Sequence, residues 1–255
     1  MKTALTIAGS DPCAGAGIQA DLKTFHAHGI YGFSVITAVT VQNTLKVYDM
    51  QKIRPEIVYA QITRLSEDME IHAVKIGMIP DIAVTEAIAD ALSSVSCPII
   101  LDPVMISTSG FRLMSLDAQK ILVKKLFPLL YAVTPNIPEA EVMCGEKIEN
   151  AEQMKYAARK ILETGVKRVV IKGGHLMGDT ATDLAWDGME FAEFSTPKIK
   201  GKEVHGTGCT FSSALAANLA LGRDFFASAA HARNYTQKCI RKALVLGKGS
   251  ALPRH

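Results

Sequence analysis

The sequence lacks the features of a membrane protein, a disordered chain or a dedicated nucleic-acid binder. Its apolar runs all fall short of the ~20 residues that a helix needs to span a bilayer. The net charge is only +3, without the basic excess that nucleic-acid binders carry. Hydrophobic residues make up 48% of the chain, too many for intrinsic disorder. We therefore expect a globular protein that binds neither membranes nor nucleic acids.

Paired cysteines are also missing. The five cysteines are odd in number, and no two have the C-x-x-C spacing of a zinc site or redox dithiol. Reduced thiols in a cytoplasmic protein are the simplest interpretation. A chain of 255 residues buries enough apolar surface to fold without a disulfide or structural metal. We predict a single domain over residues 1–255.

Several common catalytic motifs are absent, namely the Walker A loop, H-E-x-x-H and G-x-S-x-G. Residues 15–20 do match the dinucleotide fingerprint G-x-G-x-x-A. However, Gly15 follows the first predicted strand by several residues, and the second ends at Gln42 and Asn43 without an acidic residue for a ribose. We therefore favour a substrate loop, where small residues let a flat ligand approach the backbone; a tight turn without a ligand is the alternative.

Short apolar segments rich in β-branched residues alternate with amphipathic segments along the chain. This pattern predicts a mainly parallel sheet covered by helices on both faces. Among the helices, residues 115–127 begin at Ser115 as a plausible cap, and residues 224–246 are mostly helical. Residues 182–195 predict a hairpin, and residues 46–53 a small β flap.

Ligands of such folds bind at the carboxyl ends of the strands, so chemistry is expected directly after each apolar segment. The residues at these positions are polar or glycine-rich: Gly9-Ser10-Asp11, Gln42-Asn43-Thr44, Gly77-Met78, Asp102-Pro103-Val104-Met105, Thr134-Pro135-Asn136 and Lys172-Gly173-Gly174-His175. Such a composition is typical of a substrate crevice.

The segment from His205 to Thr210 is the most informative. Gly206 and Gly208 allow successive N–H groups to point into one concavity, and the following helix adds the positive end of its dipole. This arrangement suits a phosphoryl group in transfer. Cys209 lies in the first turn, where the pKa of a thiol falls and a thiolate can accept a proton from a substrate hydroxyl. Cys209 as a small packed hydrophobe fits the spacing equally well.

Charged residues at three other strand ends have two interpretations each. Lys172 is placed to neutralise a phosphate, or it is a solvated strand end. Glu139 can organise Mg²⁺ through water molecules, or it is a first-turn residue of a helix capped by Asn136. Asp102 follows an apolar strand and therefore requires a partner, for which a metal ion or a phosphate-binding lysine qualifies.

Together these motifs resemble the hydroxymethylpyrimidine/phosphomethylpyrimidine kinases of thiamine biosynthesis, within the ribokinase-like superfamily. The resemblance extends almost from end to end, from residues 4–11 through residues 205–210 to Gly247-Lys248-Gly249. It implies a three-layer α/β/α fold with a mostly parallel sheet and a small β flap. It also implies a cytoplasmic homodimer, dependent on ATP and Mg²⁺, that phosphorylates 4-amino-5-hydroxymethyl-2-methylpyrimidine and then its monophosphate to the pyrophosphate.

The resemblance also implies roles for individual residues. It assigns the pyrimidine to Gly9, Asp11, Ala16, Gln42, Met78 and Val104. It assigns ATP to Asn136, Lys172, Gly173, Thr207 and Gly208. It assigns catalysis to Gly206, Thr207, Gly208 and the base Cys209, and the metal to Asp102 and Glu139.

Two rival functions stay open on the sequence. A pyridoxal or pyridoxine kinase of the same superfamily also binds a flat ring with a hydroxymethyl group, although Gln42 and Met78 favour the pyrimidine. A regulator that binds nucleotide without catalysis is disfavoured by the intact set of Asp102, Lys172 and Cys209. The final residues 249–255 depart from the usual pattern of the family, and we expect little catalytic consequence from them.

Overall fold

A nine-stranded sheet forms the middle of the protein in the computed structural model, which describes residues 1–104, 116–176, 178–199, 201 and 203–255. The strands in chain order are β1 (Thr3–Ser10), β2 (Tyr31–Gln42), β3 (Val47–Lys52), β4 (Val74–Ile76), β5 (Ile99–Leu101), β6 (Ala132–Val133), β7 (Val169–Ile171), β8 (Thr180–Trp186) and β9 (Phe191–Pro197). Their order across the sheet is β3-β2-β1-β4-β5-β6-β7-β8-β9. Strands β2, β1, β4, β5, β6 and β7 are mutually parallel, whereas β3, β8 and β9 pair antiparallel at the two edges.

Helices cover both faces of this sheet. In the described residues they are α1 (Gly17–Ala27), α2 (Pro55–Asp68), α3 (Ile82–Leu92), α4 (Leu116–Lys125), α5 (Ile137–Cys144), α6 (Ala151–Leu162), α7 (Thr207–Ala220) and α8 (Phe225–Arg241). Single 3₁₀ turns occupy Phe127–Leu129 and Gly173–His175. Within the described ranges, no helix combines the length and the apolar character needed to cross a membrane.

Two hydrophobic cores separate the three layers. One core joins the sheet to α2, α3, α4, α5 and α6, and the other joins the opposite face to α1, α7 and α8. Helix α7 is central to the second core, since every residue from Thr210 to Ala220 is buried. A helix that is buried all round cannot slide or tilt without disturbing its packing, so its N-terminus has a fixed position at the edge of the sheet.

The local signals in the sequence correspond to the helix boundaries. Asp81 and Asn150 cap α3 and α6 through their side chains, and Pro55 opens α2. Gly29 follows α1 with a φ of +71°, the left-handed conformation that ends a helix. The predicted three-layer fold is confirmed.

The structure also differs from the sequence expectations in places. The predicted flap, residues 46–53, is strand β3 and lies at the edge of the main sheet, paired antiparallel with β2. Helix α8 ends at Arg241 instead of near Leu246. Strand β1 ends at Ser10, two residues after Ala8, where the apolar run of the sequence ends. The proposed cap Ser115 lies outside the described residues.

A buried polar network connects the sheet to two helices. Lys75 of β4, with a side chain 0% exposed, donates hydrogen bonds of 2.9 and 2.8 Å to the two carboxylate oxygens of Asp21 in α1. Thr6 of β1 and Ser213 of α7 each donate a further bond of 2.6 Å to Asp21. Burial lowers the pKa of Lys75, but the charge of Asp21 more than compensates, so that the pKa lies above its usual value.

This network predicts a large loss of stability when one partner is removed. Lys75→Met leaves the Asp21 carboxylate buried without its counter-charge, and we expect it to lower the free energy of unfolding by about 3–5 kcal/mol. The measurement is urea unfolding followed by circular dichroism. Lys160→Met is the control, because the Lys160–Glu163 pair is solvent-exposed and its loss should change the midpoint little. Equal midpoints for both variants would contradict the prediction.

Candidate active site

The carboxyl ends of the parallel strands open into a cavity of about 890 Å³. The cavity is lined by almost all the residues that the sequence singled out: Gly9, Asp11, Ala16, Gln42, Met78, Asp102, Val104, Asn136, Glu139, Lys172, Gly206, Thr207, Gly208 and Cys209. Gly173 is the one that does not line the cavity. It is buried against β8, where a side chain would overlap the carbonyl oxygen of Thr182.

Asp11 organises the glycine-containing loop that follows β1. Its carboxylate accepts hydrogen bonds from the backbone N–H groups of Cys13 (2.8 Å), Gly15 (3.0 Å) and Ala16 (2.8 Å). Burial alone would raise the pKa of this carboxyl, but hydrogen bonds from His205 and from the backbone outweigh burial and hold the pKa at about 2. Asp11 is therefore a permanent negative charge that shapes the loop.

His205 and Gln42 meet beside Asp11. The Nε2 atom of His205 lies 3.3 Å from Asp11 Oδ2 and 3.5 Å from Gln42 Nε2. Gln42 contributes to the lowered pKa of Asp11, and its side-chain amide carries both donors and an acceptor at this end of the cavity. His205 directly precedes the glycine motif, but nothing in its local sequence pattern indicates this contact.

Met78 lines the cavity next to Gly9. Its backbone carbonyl accepts a hydrogen bond of 2.7 Å from Thr37, which holds the residue against β2. A Cβ atom on Gly9 would overlap the end of the Met78 side chain, so the missing side chain at Gly9 leaves the space that Met78 occupies. Together with Val104, Met78 gives an apolar lining to this end of the cavity.

Two glycines at the start of α7 make close contacts. Gly206 has a φ of +74°, and a side chain there would overlap the carbonyl oxygen of Gly15. A Cβ atom on Gly208 would lie 3.0 Å from Asp102 Oδ2 and 3.2 Å from Lys172 Nζ. The backbone at the N-terminus of α7 therefore lies directly on a pair of charged side chains.

That pair is Asp102 and Lys172, at the ends of β5 and β7. Lys172 Nζ donates to Asp102 Oδ1 at 2.7 Å, with side-chain exposures of 15% and 3%. Burial lowers the pKa of Lys172, but the carboxylates of Asp102 and Glu139 raise it by more. The pKa of Lys172 therefore lies above its usual value. Lys172 is therefore a cation at the floor of the cavity, and it is the partner that the burial of Asp102 required.

Cys209 lies in the first turn of α7, close to Gly17 at the start of α1. The sequence-based expectation of a lowered thiol pKa is wrong for the free protein. Burial raises the pKa of Cys209 to about 11, and the carboxylates of Asp21 and Asp102 add to this rise. The ammonium group of Lys75 and the Gly17 N–H oppose it without cancelling it.

Asn136 and Glu139 form a reciprocal capping box at the start of α5. The Glu139 N–H donates to Asn136 Oδ1 at 2.9 Å, and the Asn136 N–H donates to Glu139 Oε2 at 2.8 Å. One carboxylate oxygen of Glu139 is thus engaged in the cap, while the residue still lines the cavity. Across the described part of the chain, no cluster of three or more His, Cys, Asp or Glu side chains is arranged to hold a metal ion.

Sequence reasoning missed a second buried pair, at the end of the cavity near β8 and α8. Arg233 Nη1 lies 3.3 Å from Asp183 Oδ2, and the guanidinium also donates to the Ala181 carbonyl at 3.0 Å. Asp183 Oδ1 accepts a bond of 3.0 Å from the Gly173 N–H, which anchors the segment after Lys172. An aspartate on the same face of β8 as Ala181 and Ala185 was the available signal.

The raised pKa of Cys209 predicts slow alkylation at neutral pH. The thiolate is the nucleophile, so the rate of reaction with iodoacetamide should rise about tenfold per pH unit as the pH rises toward 11. Peptide mass spectrometry on the ligand-free protein resolves Cys209 from the other four cysteines, and Cys209→Ser confirms the assignment. A rate that reaches its plateau below pH 8 would contradict the prediction.

Comparison with known proteins identifies the family. The family model described as phosphomethylpyrimidine kinase matches residues 11–254. A hydroxymethylpyrimidine/phosphomethylpyrimidine kinase from Aquifex aeolicus is 43% identical over 247 residues, which are 96% of this chain and 97% of that protein.

Two solved proteins are similar in structure. The crystal structure of a phosphomethylpyrimidine kinase from Clostridium difficile 630 has a TM-score of 0.83 and 42% identity, and covers 94% of this chain and 100% of that one. The pyridoxal kinase from Staphylococcus aureus in complex with pyridoxal has a TM-score of 0.91 and 31% identity, covering 100% and 93%. The same enzyme has been solved with ADP.

The family model spans nearly the whole chain, the identities exceed 40% at almost full coverage, and the fold is shared. The chain is a kinase and belongs to the phosphomethylpyrimidine kinase family.

Proposed function

We propose that the protein transfers the terminal phosphoryl group of ATP to 4-amino-5-hydroxymethyl-2-methylpyrimidine and then to its monophosphate, as a single cytoplasmic kinase domain that forms a homodimer. One observation carries the proposal. The glycine turn before α7 and the Asp102–Lys172 pair meet in the same cavity as the Gln42 and Met78 pocket. Anion-binding and ring-binding groups thus line one space.

The ring of the substrate is assigned to the end lined by Gly9, Ala16, Gln42, Met78 and Val104. Gln42 lines this end, where its amide carbonyl can accept a hydrogen bond from the 4-amino group of the pyrimidine and its NH₂ group can donate to a ring nitrogen. Pyridoxal carries no amino group at the corresponding edge, which leaves this acceptor without a donor. An unsatisfied acceptor lowers affinity for the wrong ring.

The phosphates are assigned to the other end, against Lys172 and the turn from Gly206 to Gly208. Lys172 is a cation held in place by Asp102, so its side chain is already ordered when the phosphates bind. The N–H groups at the start of the 14-residue helix α7 and its dipole stabilise the negative charge that develops during transfer. Positioning and electrostatics supply most of the rate in phosphoryl transfer. Asn136, Gly173 and Thr207 support the nucleotide, Gly173 through the backbone anchor on Asp183.

Asp102 and Glu139 are the residues that would hold Mg²⁺. Both line the cavity, and each has carboxylate oxygens of the kind that Mg²⁺ prefers to bind directly or through water. When bound with ATP, the ion would neutralise phosphate charge. The engagement of Asp102 with Lys172 and of Glu139 with the cap favours contact through water molecules.

Cys209 is assigned as the group that accepts the proton of the substrate hydroxymethyl. It lies in the first turn of α7, beside the proposed phosphate site and close to the positive charge of Lys75. Because the thiol is protonated in the free protein at neutral pH, the fraction of thiolate limits the reaction. In the free enzyme, this fraction increases with pH up to about 11.

The substrate assignment is tested by kinetics on two substrates. With ATP and Mg²⁺ present, we expect kcat/KM for the pyrimidine to exceed that for pyridoxal by about tenfold or more. Gln42→Leu should reduce this ratio because it removes the acceptor. Mass spectrometry of the products separates the monophosphate from the pyrophosphate. A higher kcat/KM for pyridoxal would favour the alternative function, pyridoxal kinase, and ATP turnover without any phosphorylated substrate would favour a regulator.

The role of Cys209 is tested by replacement. Cys209→Ala should lower kcat by about 10²- to 10⁴-fold, the usual contribution of a general base, with a much smaller change in the KM of the pyrimidine. Cys144→Ala is the matched control, since Cys144 lies at the end of α5 and does not line the cavity. A near-normal kcat in Cys209→Ala would remove Cys209 from the mechanism.

The pH profile gives a second test of the same residue. In the wild type, kcat/KM should rise between pH 7 and 9, because a thiol with a pKa near 11 gains thiolate over that range. Cys209→Asp should show a flatter profile, since a carboxylate is ionised at lower pH than a thiol. Parallel profiles for the two proteins would show that another group controls the pH dependence.

A further inference from the structure

Residues 247–252, which we call the strap, lie against the loop that follows β2. The Gly249 N–H donates to Thr44 Oγ1 at 3.2 Å, and the Ser250 N–H donates to the Thr44 carbonyl at 2.9 Å. A side chain on Gly249 would overlap that same carbonyl oxygen. Backbone therefore packs directly on backbone, two residues from Gln42.

The strap holds a second loop through Ala251. The Ala251 carbonyl accepts a bond of 2.9 Å from the His205 N–H, and the Ala251 N–H donates a bond of 2.9 Å to the Glu203 carbonyl. These bonds form an isolated parallel bridge with Val204. Ala251 is buried, so the bridge is shielded from water. The backbone of His205 is thus anchored on the strap.

A third contact reaches the loop after β1. The side chain of Leu252 packs on Gly15, where a Cβ atom would lie 2.6 Å from Leu252 Cδ2. Leu252 also exchanges two backbone hydrogen bonds of 2.9 Å with Leu244, which follows α8. The strap therefore forms hydrogen bonds with Leu244 after α8 on one side and contacts three loops on the other.

We propose that the strap is a positioning element for pyrimidine binding. Through Thr44 the strap fixes the position of Gln42, and through Ala251 it fixes the position of His205. The two side chains therefore meet beside Asp11. The proposal rests on the proposed function of that pocket. Loops that already have the bound geometry lose little conformational freedom when the ligand binds, and this raises the affinity.

The nucleotide residues Lys172 and Asn136 have anchors that do not involve the strap. Lys172 and Asn136 are held by their own parallel bridge and by the bond of 2.8 Å from the Lys172 N–H to the Pro135 carbonyl. Loosening the strap should therefore weaken pyrimidine binding and leave nucleotide binding intact. This specificity distinguishes a positioning role from a general loss of stability.

Gly249→Ala tests the proposal, because its Cβ atom forces the strap away from Thr44. We expect the KM for the pyrimidine to rise about tenfold, while kcat and the KM for ATP change by less than about twofold. Backbone hydrogen exchange at residues 42–45 and 203–206 should become faster. Lys248→Ala is the matched control, since the Lys248 side chain is exposed within the same segment and should leave every value unchanged.

A second pair of variants covers the case in which Gly249→Ala does not fold. Thr44→Val removes the acceptor for the Gly249 N–H, and Thr44→Ser keeps it, so only the first should raise the pyrimidine KM. Faster exchange at residues 42–45 with an unchanged pyrimidine KM would overturn the proposal. If the wild type does not phosphorylate the pyrimidine, the proposed function fails. The positioning role then fails separately if exchange at residues 42–45 is as slow in the variants as in the wild type.

Discussion

The carboxylate of Asp21 is the point at which the layers of this protein are joined. It accepts hydrogen bonds from β1, β4 and α7 while itself belonging to α1. Asp21 and Lys75 both have 0% exposed side chains, so neither charge has water as an alternative partner and separation would be costly. Because Ser213 lies one turn from Cys209, the network also sets the position at which α7 begins.

The electrostatics of the cavity follow from this arrangement. Lys172 lines the cavity, and Lys75 of β4 is fully buried near Cys209; each has a carboxylate partner, Asp21 for Lys75 and Asp102 for Lys172. Compensated pairs let cations be buried beside the anion-binding turn without a large net charge. The same carboxylates and the burial of the thiol raise the pKa of Cys209. The ionisation of the thiol is therefore coupled to the charges that surround it.

Much of the fold was predictable, because its elements are marked by local signals. Pro55, Gly29 and the caps Asp81 and Asn150 define helix ends whatever the rest of the chain does. Predictions that required long-range pairing were less accurate. Residues 46–53 form an edge strand only because β2 lies beside them, and a short polar strand has little pattern of its own.

The candidate site shows the same division. Its members could be found because the ends of parallel strands must meet at one edge of the sheet, and nearly all of them line one cavity. Gly173 was assigned to the nucleotide from its motif, but its backbone faces Asp183. The contact of the strap with Thr44 joins residues some 200 positions apart in the chain, and its contacts with Glu203 and His205 join residues about 50 positions apart. No local pattern could predict contacts over such distances.

The sequence by itself determined the alternating strands and helices, the glycine turn before α7 and the residue types of the cavity. Each of these depends on neighbours in the chain, through backbone conformation, periodicity or capping. Only the tertiary structure decided which charges pair and that the thiol of Cys209 has a raised pKa. Those properties depend on desolvation and on distances between residues remote in sequence, and both exist only once the chain has folded.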